Sequence, residues 1–253
     1  MNTHLFFTAG NTPALQTARS LLNNKGLRFT DHPTPEITHL LLPVPSFQPD
    51  GSIKGGGSIA QLLRMLPENV TIIGGNLENT AFSGQKTVDL LRDEEYLAKN
   101  AAITAHCALK IAMEQLPVTL ADCDVLVIGW GRIGKCLAAL LKGLGAAVTV
   151  SARKESDRAM LHALGYRAEA PNLLHRSLHR QKLIFNTVPA PVLSAERLSR
   201  CPDGCVKIDL ASCPGLEGAD VIHARGLPGK DAPESSGKLI ADTVVRLLEG
   251  GKP

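Results

Sequence analysis

Aromatic residues are scarce in this chain: Phe, Trp and Tyr make up 4% of it, with a single Trp. A reader of single-stranded nucleic acid needs aromatic stacking platforms, so the scarcity argues against that class, and the core has to be built from Leu, Ile, Val and Ala. An excess of one charge is also missing. The 27 basic and 24 acidic residues are scattered without a basic block, so neither nucleic-acid binding nor attraction to a membrane surface is expected. Apolar stretches such as Val125–Ile128 and Leu137–Leu141 fall far short of the roughly 20 residues of a membrane span. The start, Met1 to Gly10, has no basic segment ahead of an apolar one, so a secretory signal is not expected and the chain reads as cytoplasmic.

Metal-ligand spacing is lacking too. The six cysteines are Cys107, Cys123, Cys136, Cys201, Cys205 and Cys213, and they read as reduced thiols rather than a disulfide framework. Cys201, Cys205 and Cys213 contain no Cys-x2-Cys pair, and Pro202, Asp203 and Gly204 look like a turn between a helix and a strand. His175 and His179 are four apart, but Arg176 and Arg180 beside them favour a solvated helix face. No metal is expected.

What the chain does have is 253 residues, 44% of them hydrophobic, enough for one large or two small domains. Short β-rich runs alternate with helical patterns: strands at Leu5–Thr8, Leu27–Thr30, Thr38–Leu42 and Val70–Ile73, helices at Pro13–Asn24 and Ser58–Leu66. A second series follows a long helical pattern closed by Pro117. It has strands at Asp124–Ile128, Ala147–Val150, Lys182–Phe185, Cys205–Asp209 and Val221–His223, and helices at Arg132–Leu144, Ser156–Leu164 and Ser236–Glu249. The order predicts an α/β protein of two doubly wound parallel-sheet lobes, the second a Rossmann domain. The expected division is an amino-terminal α/β substrate lobe over 1–99, a dinucleotide-binding lobe over 100–235 entered by a connector helix over 94–116, and a terminal helix over 236–253 packing back on the first lobe.

The segment Val125-Leu126-Val127-Ile128-Gly129-Trp130-Gly131-Arg132-Ile133-Gly134 is G-x-G-x-x-G between an apolar strand and an amphipathic helix. Gly129 permits the tight turn, Gly131 lets backbone approach a pyrophosphate, and Gly134 lets the helix pack on the strand. Helix N–H groups then favour the anion. An NAD site usually offers a carboxylate at the end of the second strand. Here that position reads Val150-Ser151-Ala152-Arg153-Lys154, with no acid before Glu155. A hydroxyl and two cations suit a 2′-phosphate, so NADP(H) is expected over NAD(H). Asn186-Thr187-Val188-Pro189 and Asp209-Leu210-Ala211-Ser212-Cys213-Pro214-Gly215 follow later strands and fall where small or polar groups line a nicotinamide. Asn186 and Ser212 serve equally well as turn residues.

Together the motifs resemble the family of the dipicolinate synthase A-type subunits, whose members make pyridine-2,6-dicarboxylate in sporulating bacteria. The matching segments are Leu41-Leu42-Pro43-Val44-Pro45 with Asp50-Gly51, Asn100 to Ala105, Ile128 to Gly134, Val148 to Arg153, Asn186 to Ala190, Ile208 to Ser212, and Gly226-Leu227-Pro228-Gly229 with Ala232-Pro233 and Gly237. They run from about residue 38 to the end. Two places depart from the family: His106-Cys107-Ala108 stands where it usually has Glu-Gly-Ala, and Thr8-Ala9-Gly10-Asn11-Thr12 replaces its Gly-Gly-Asp-x-Arg start.

The resemblance implies oxidation of a hydroxy-tetrahydrodipicolinate, or of the dihydro compound left when it loses water, to an aromatic pyridine. It also implies work alongside a flavoprotein B-type subunit; a homo-oligomer is expected. A small dicarboxylate needs N–H or hydroxyl donors, and Ser58, Asn76, Thr104, Ser235 and Ser236 are candidates, with Gly226–Gly237 as a lid. His106 is the candidate proton-transfer group, since imidazole titrates near neutrality, with Thr104 and Ser212 as further catalytic candidates; His106 as a packing residue is the other reading. A 2-hydroxyacid dehydrogenase is the enzymatic rival, but that class places an Arg shortly after the fifth cofactor-domain strand and a catalytic His downstream. Ala211–Gly215 holds no Arg, and the nearest His is His223. A non-catalytic NADP-binding regulatory subunit is the third reading.

Overall fold

The computed structural model describes residues 4–78, 82 and 84–250. The chain forms two compact units, one from residues up to Asn100 together with those from Pro228 onward, the other from Ala101 to Leu227.

The first unit begins with β1 (Leu5–Thr8), α1 (Pro13–Asn24), β2 (Arg28–Thr30), β3 (His39–Leu41), α2 (Ile59–Leu63), β4 (Thr71–Gly74) and β5 (Lys86–Asp89). Thr12 caps α1 by accepting from Leu15 N at 3.3 Å, and Pro13 fills the first helical position, where no donor is needed. The sheet is all parallel in the order β2-β1-β3-β4-β5, so the chain changes direction across it between β1 and β3. Apolar side chains point to both faces, as a sheet covered on both sides requires. Leu40, Leu42 and Ile72 join Ile53, Ile59 and Leu62 in one core cluster. α2 is shorter than the predicted Ser58–Leu66 helix, and Ser58 sits at its N-cap without a side-chain cap bond.

The boundary between the units falls inside α3 (Glu94–Gln115). The second unit then builds β6 (Asp124–Ile128), α4 (Arg132–Gly143), β7 (Ala147–Ser151), α5 (Glu155–Ala163), β8 (Arg167–Glu169), β9 (Leu183–Asn186), α6 (Ala195–Leu198), β10 (Val206–Asp209) and β11 (Val221–His223). Its strands are all parallel in the order β11-β10-β9-β6-β7-β8. This is the Rossmann order, with its reversal between β6 and β9. Both parallel sheets with interleaved helices match the expected fold class.

The chain returns to the first unit through α7 (Leu227–Asp231) and α8 (Pro233–Leu248). α8 lies so close to α1 that a Cβ on Gly237 would meet the Ala14 carbonyl oxygen at 2.5 Å. Most of Gly226–Gly237 is therefore helical, which corrects its reading as an open lid loop. His175 and His179 fall in two separate 3-10 helices, Pro171–Arg176 and Leu178–Arg180, and not on one α-helical face. No helix among the described residues is long and apolar enough to cross a membrane.

Candidate cofactor site

The carboxyl ends of the second sheet's strands fall in one register. Glu169, Ser151, Ile128, Asn186, Asp209 and His223 are aligned neighbour to neighbour across β8, β7, β6, β9, β10 and β11. Loops leaving this row are where a doubly wound sheet holds its ligand, above all at the reversal between Ile128 and Asn186.

The glycine loop starts there. Gly129 has φ +107°, which only glycine adopts without strain, and its N–H donates to Ser151 O at 3.0 Å. A Cβ on Gly134 would sit 2.1 Å from the Gly129 carbonyl oxygen, so the helix packs on the turn through bare backbone. Gly131 differs: a Cβ there would meet nothing within 4 Å, and its backbone faces open space at the N-terminus of α4. No acidic residue occupies that first turn. First-turn N–H groups, a positive helix end and free space above them are what a pyrophosphate needs. Arg132 is exposed and Ile133 half-buried on the same turn.

Thr187 closes the other side of the reversal. Its N–H and its Oγ1 both donate to Ile128 O at 2.9 Å. Val188 is half-buried and Pro189 exposed beyond it. Asn186 is buried, and its side chain is spent on its own loop: Nδ2 donates to Val188 O and to Asp209 Oδ1, and Oδ1 accepts from Val188 N. Asn186 therefore shapes the loop and has no amide group left for a ligand. Asp209, the first residue of the segment read as lining the nicotinamide, is the hub. Its carboxylate accepts from Ala211 N, Gly215 N and Leu216 N as well as Asn186, folding back the loop on whose exposed tip Ser212 sits. The signal available was an Asp ending a buried strand just before a small-residue loop.

At the end of β7, Ser151 is buried and its Oγ has no partner. Arg153 and Lys154 are exposed beyond it, and Arg158 Nη1 holds the Ala152 and Arg153 carbonyls at 2.9 and 2.7 Å. Trp130 is half-buried, with the Lys135 ammonium 5.8 Å from its ring centroid and Tyr166 edge-on at 6.0 Å. That packing sets the ring against protein groups of its own unit.

The substrate and proton-transfer candidates are dispersed. Thr104 and His106 lie two residues apart on α3, hence on different sides of it: Thr104 is buried, and His106 is exposed in line with Lys110 and Met113. Asn76 has φ +58° after β4, where its N–H donates to Asp89 Oδ1. Ser58 and Ser235 are exposed, but Ser236 is 2% exposed within α8, which removes it as a donor open to substrate. Among the described residues, no group of three or more His, Cys, Asp or Glu is placed to hold a metal ion.

Residues 98–224, half of the chain, match the family model of the D-isomer specific 2-hydroxyacid dehydrogenase, NAD binding domain. The chain belongs to that family. The second unit is thus the nicotinamide-dinucleotide domain of an oxidoreductase family. The chain is also similar to the A subunit of dipicolinate synthase from Bacillus subtilis (strain 168), 27% identical over 235 residues that span 85% of this chain and 79% of that protein. The solved dipicolinate synthase A subunit of Bacillus halodurans has the same fold, with a TM-score of 0.83 at 22% identity over 97% of this chain and 98% of that one. A D-lactate dehydrogenase from Sporolactobacillus sp. shares the fold at a TM-score of 0.63 and 11% identity, over 99% of this chain and 97% of that one. The resemblance drawn from the motifs is borne out.

Proposed function

We propose that this chain is an NADP(H)-dependent oxidoreductase of the kind formed by the A subunits of dipicolinate synthase. It would form pyridine-2,6-dicarboxylate from a hydroxy-tetrahydrodipicolinate or a dihydrodipicolinate, as the name of its relatives implies. The observation that carries the reading is the free space at Gly131 after β6, together with the unpartnered Ser151 hydroxyl at the end of the paired β7, within a domain of this family. Backbone N–H groups of Gly131 to Gly134 would hold the pyrophosphate, and Thr187, Val188 and Pro189 would flank the nicotinamide end. Ser151, Arg153 and Lys154 would take the 2′-phosphate, since no carboxylate stands there to prefer a free 2′-hydroxyl. The nicotinamide, when bound, supplies hydride transfer.

Loss of water and of two electrons turns the substrate ring aromatic, so the residues need mainly to bind two carboxylates and move protons. Ser58, Asn76 and Ser235 are the proposed carboxylate donors. Exposed His106 is the proposed proton-transfer group, with Thr104 and Ser212 as further candidates. We also propose a flavoprotein partner and a homo-oligomer, and a cytoplasmic setting.

A coupled assay tests this. Purified protein, NADP+, a B-type flavoprotein and hydroxy-tetrahydrodipicolinate should give pyridine absorbance, with NADP+ accepting the hydride, lost in His106→Ala with cofactor binding retained. Binding of NADPH without turnover would replace the proposal by a regulatory subunit. The family match favours a second reading, a 2-hydroxyacid dehydrogenase, although Ala211–Gly215 carries no Arg. Reduction of cofactor by a 2-hydroxy acid alone would establish it. Arg153→Ala should cost NADPH affinity about tenfold and leave NADH affinity unchanged, and equal effects on both would refute the NADP preference.

A further inference from the structure

At the amino end of β10, opposite the end that carries Asp209, two cysteines flank a tight turn. Cys205 N donates to Pro202 O at 3.1 Å, and Gly204 takes φ +76°, as the third residue of a type II turn must. The turn reverses Cys201-Pro202-Asp203-Gly204-Cys205 and brings the two thiols to bear on each other, while the Cys205 thiol donates weakly to Val206 O at 3.9 Å. Cys201 is half-buried and lines a cavity of about 450 Å³ with Leu198, Ser199, Lys207, Glu217 and Asp220. Cys205 lies behind it, 7% exposed.

The cation beside the pair is Lys207. Its side chain is 7% exposed, and Nζ donates to Cys205 O at 3.2 Å and to Asp220 at 2.5 Å. Asp220 holds this buried ammonium from a mostly exposed position, and its charge partly opposes that of Lys207 at Cys201. The neighbouring Cys205 thiol and the Lys207 ammonium lower the Cys201 thiol against the opposing effects of burial and the Asp220 charge, whereas the neighbouring Cys201 and burial push Cys205 up. An accessible sulfur that ionises readily, backed by a buried protonated one, is the arrangement of an attacking and a resolving thiol.

We propose that Cys201 and Cys205 form a redox-active dithiol that exchanges with low-molecular-weight disulfides entering the cavity. The Cys201 thiolate attacks one sulfur of the disulfide RSSR, giving a Cys201–SR mixed disulfide and RS⁻. Cys205 then gives up its proton to that RS⁻ and attacks the Cys201 sulfur, expelling the second RS⁻. One thiolate, one thiol and RSSR become an intramolecular disulfide, RSH and RS⁻, and excess thiol runs the exchange backwards.

The test is oxidised glutathione added to the native full chain, in a Cys213→Ser background that removes the exposed thiol, followed by peptide mapping by mass spectrometry. The expected product is a Cys201–Cys205 link, reversed by dithiothreitol. Cys205→Ser should instead accumulate glutathione on Cys201, and Lys207→Gln should slow the alkylation of Cys201 at pH 7 several-fold. The link itself is read without altering Cys201, Cys205 or Lys207, so it does not depend on a variant of the turn folding. Absence of the Cys201–Cys205 link, or a Cys201 that reacts no faster in the native chain than in urea, overturns the proposal.

Discussion

Asn186 and Asp209 stand opposite each other in the register of β9 and β10, and the Asn186 amide donates to Asp209 Oδ1 at 2.9 Å. The two loops flanking the nicotinamide end of the proposed site are thereby one construction, because Asp209 also collects three backbone N–H groups of its own loop. The first unit repeats the device: Asp89, ending β5, accepts from Asn76 N, Leu77 N and Leu91 N.

Asp209→Ala leaves three buried backbone donors and one N–H of the Asn186 amide without an acceptor. It should destabilise the second unit by about 3–5 kcal/mol, while Asn186→Ala, which strips Asp209 of one donor in four, should cost about 1–2 kcal/mol. Urea titration with cofactor-binding measurements checks both. Costs below about 0.5 kcal/mol for each would mean the network is decorative.

The glycine loop separates folding from binding. Gly134→Ala drives a methyl into the Gly129 carbonyl oxygen and should lower the melting temperature. Gly131→Ala meets no protein atom, and its φ of −80° suits alanine. It should leave stability within about 0.5 kcal/mol and weaken dinucleotide binding about tenfold. Calorimetry of both variants, with and without NADPH, distinguishes them, and a Gly131→Ala protein with native affinity would place the ligand elsewhere.

What was legible in the sequence follows from how each element is held. The stretch from Asp124 to Gly143 was readable because Val125–Ile128 is an apolar run and the glycine spacing carries its own geometry. β5 and β8 were not: as three- or four-residue edge strands with polar composition, Lys86–Asp89 and Arg167–Glu169 bury too little to show alternation. The turn at Pro202–Gly204 was visible from its residue types. The roles of Asp209 and Ser236 depend on what folds back over them, and local pattern does not encode that.

Asp93 joins two ends of the first unit. It caps α3 by accepting from Tyr96 N at 2.7 Å, and Arg246 of α8 pairs with it and reaches Glu95 at 3.2 Å. The Asp93 side chain is 2% exposed, so Arg246→Met strands a buried carboxylate and should cost about 3 kcal/mol. Asp93→Asn keeps the cap but loses the charge. The double variant should therefore cost at least about 1 kcal/mol less than the sum of the singles. A denaturation cycle with additive effects would rule out the coupling.

His39 gives the first unit a specific acid sensitivity. Its imidazole is 9% exposed and stacks on Phe6, with ring centroids 4.6 Å apart, and Nδ1 lies 2.8 Å from Thr38 Oγ1. Burial, helped by the neighbouring His4 and Lys86, lowers its pKa from 6.5 to about 4. The unfolded chain therefore takes up a proton that the folded chain refuses. Above pH 6.5 the group is neutral in both states and costs nothing. As pH falls from 6.5 towards 4, stability should drop, by up to about 3 kcal/mol, and below that window this group adds no further slope. His39→Gln removes the titration, so its unfolding free energy should stay flatter over the same interval. Chemical denaturation of both proteins at half-unit pH steps measures the difference, and parallel curves would show that the acid sensitivity comes from another group.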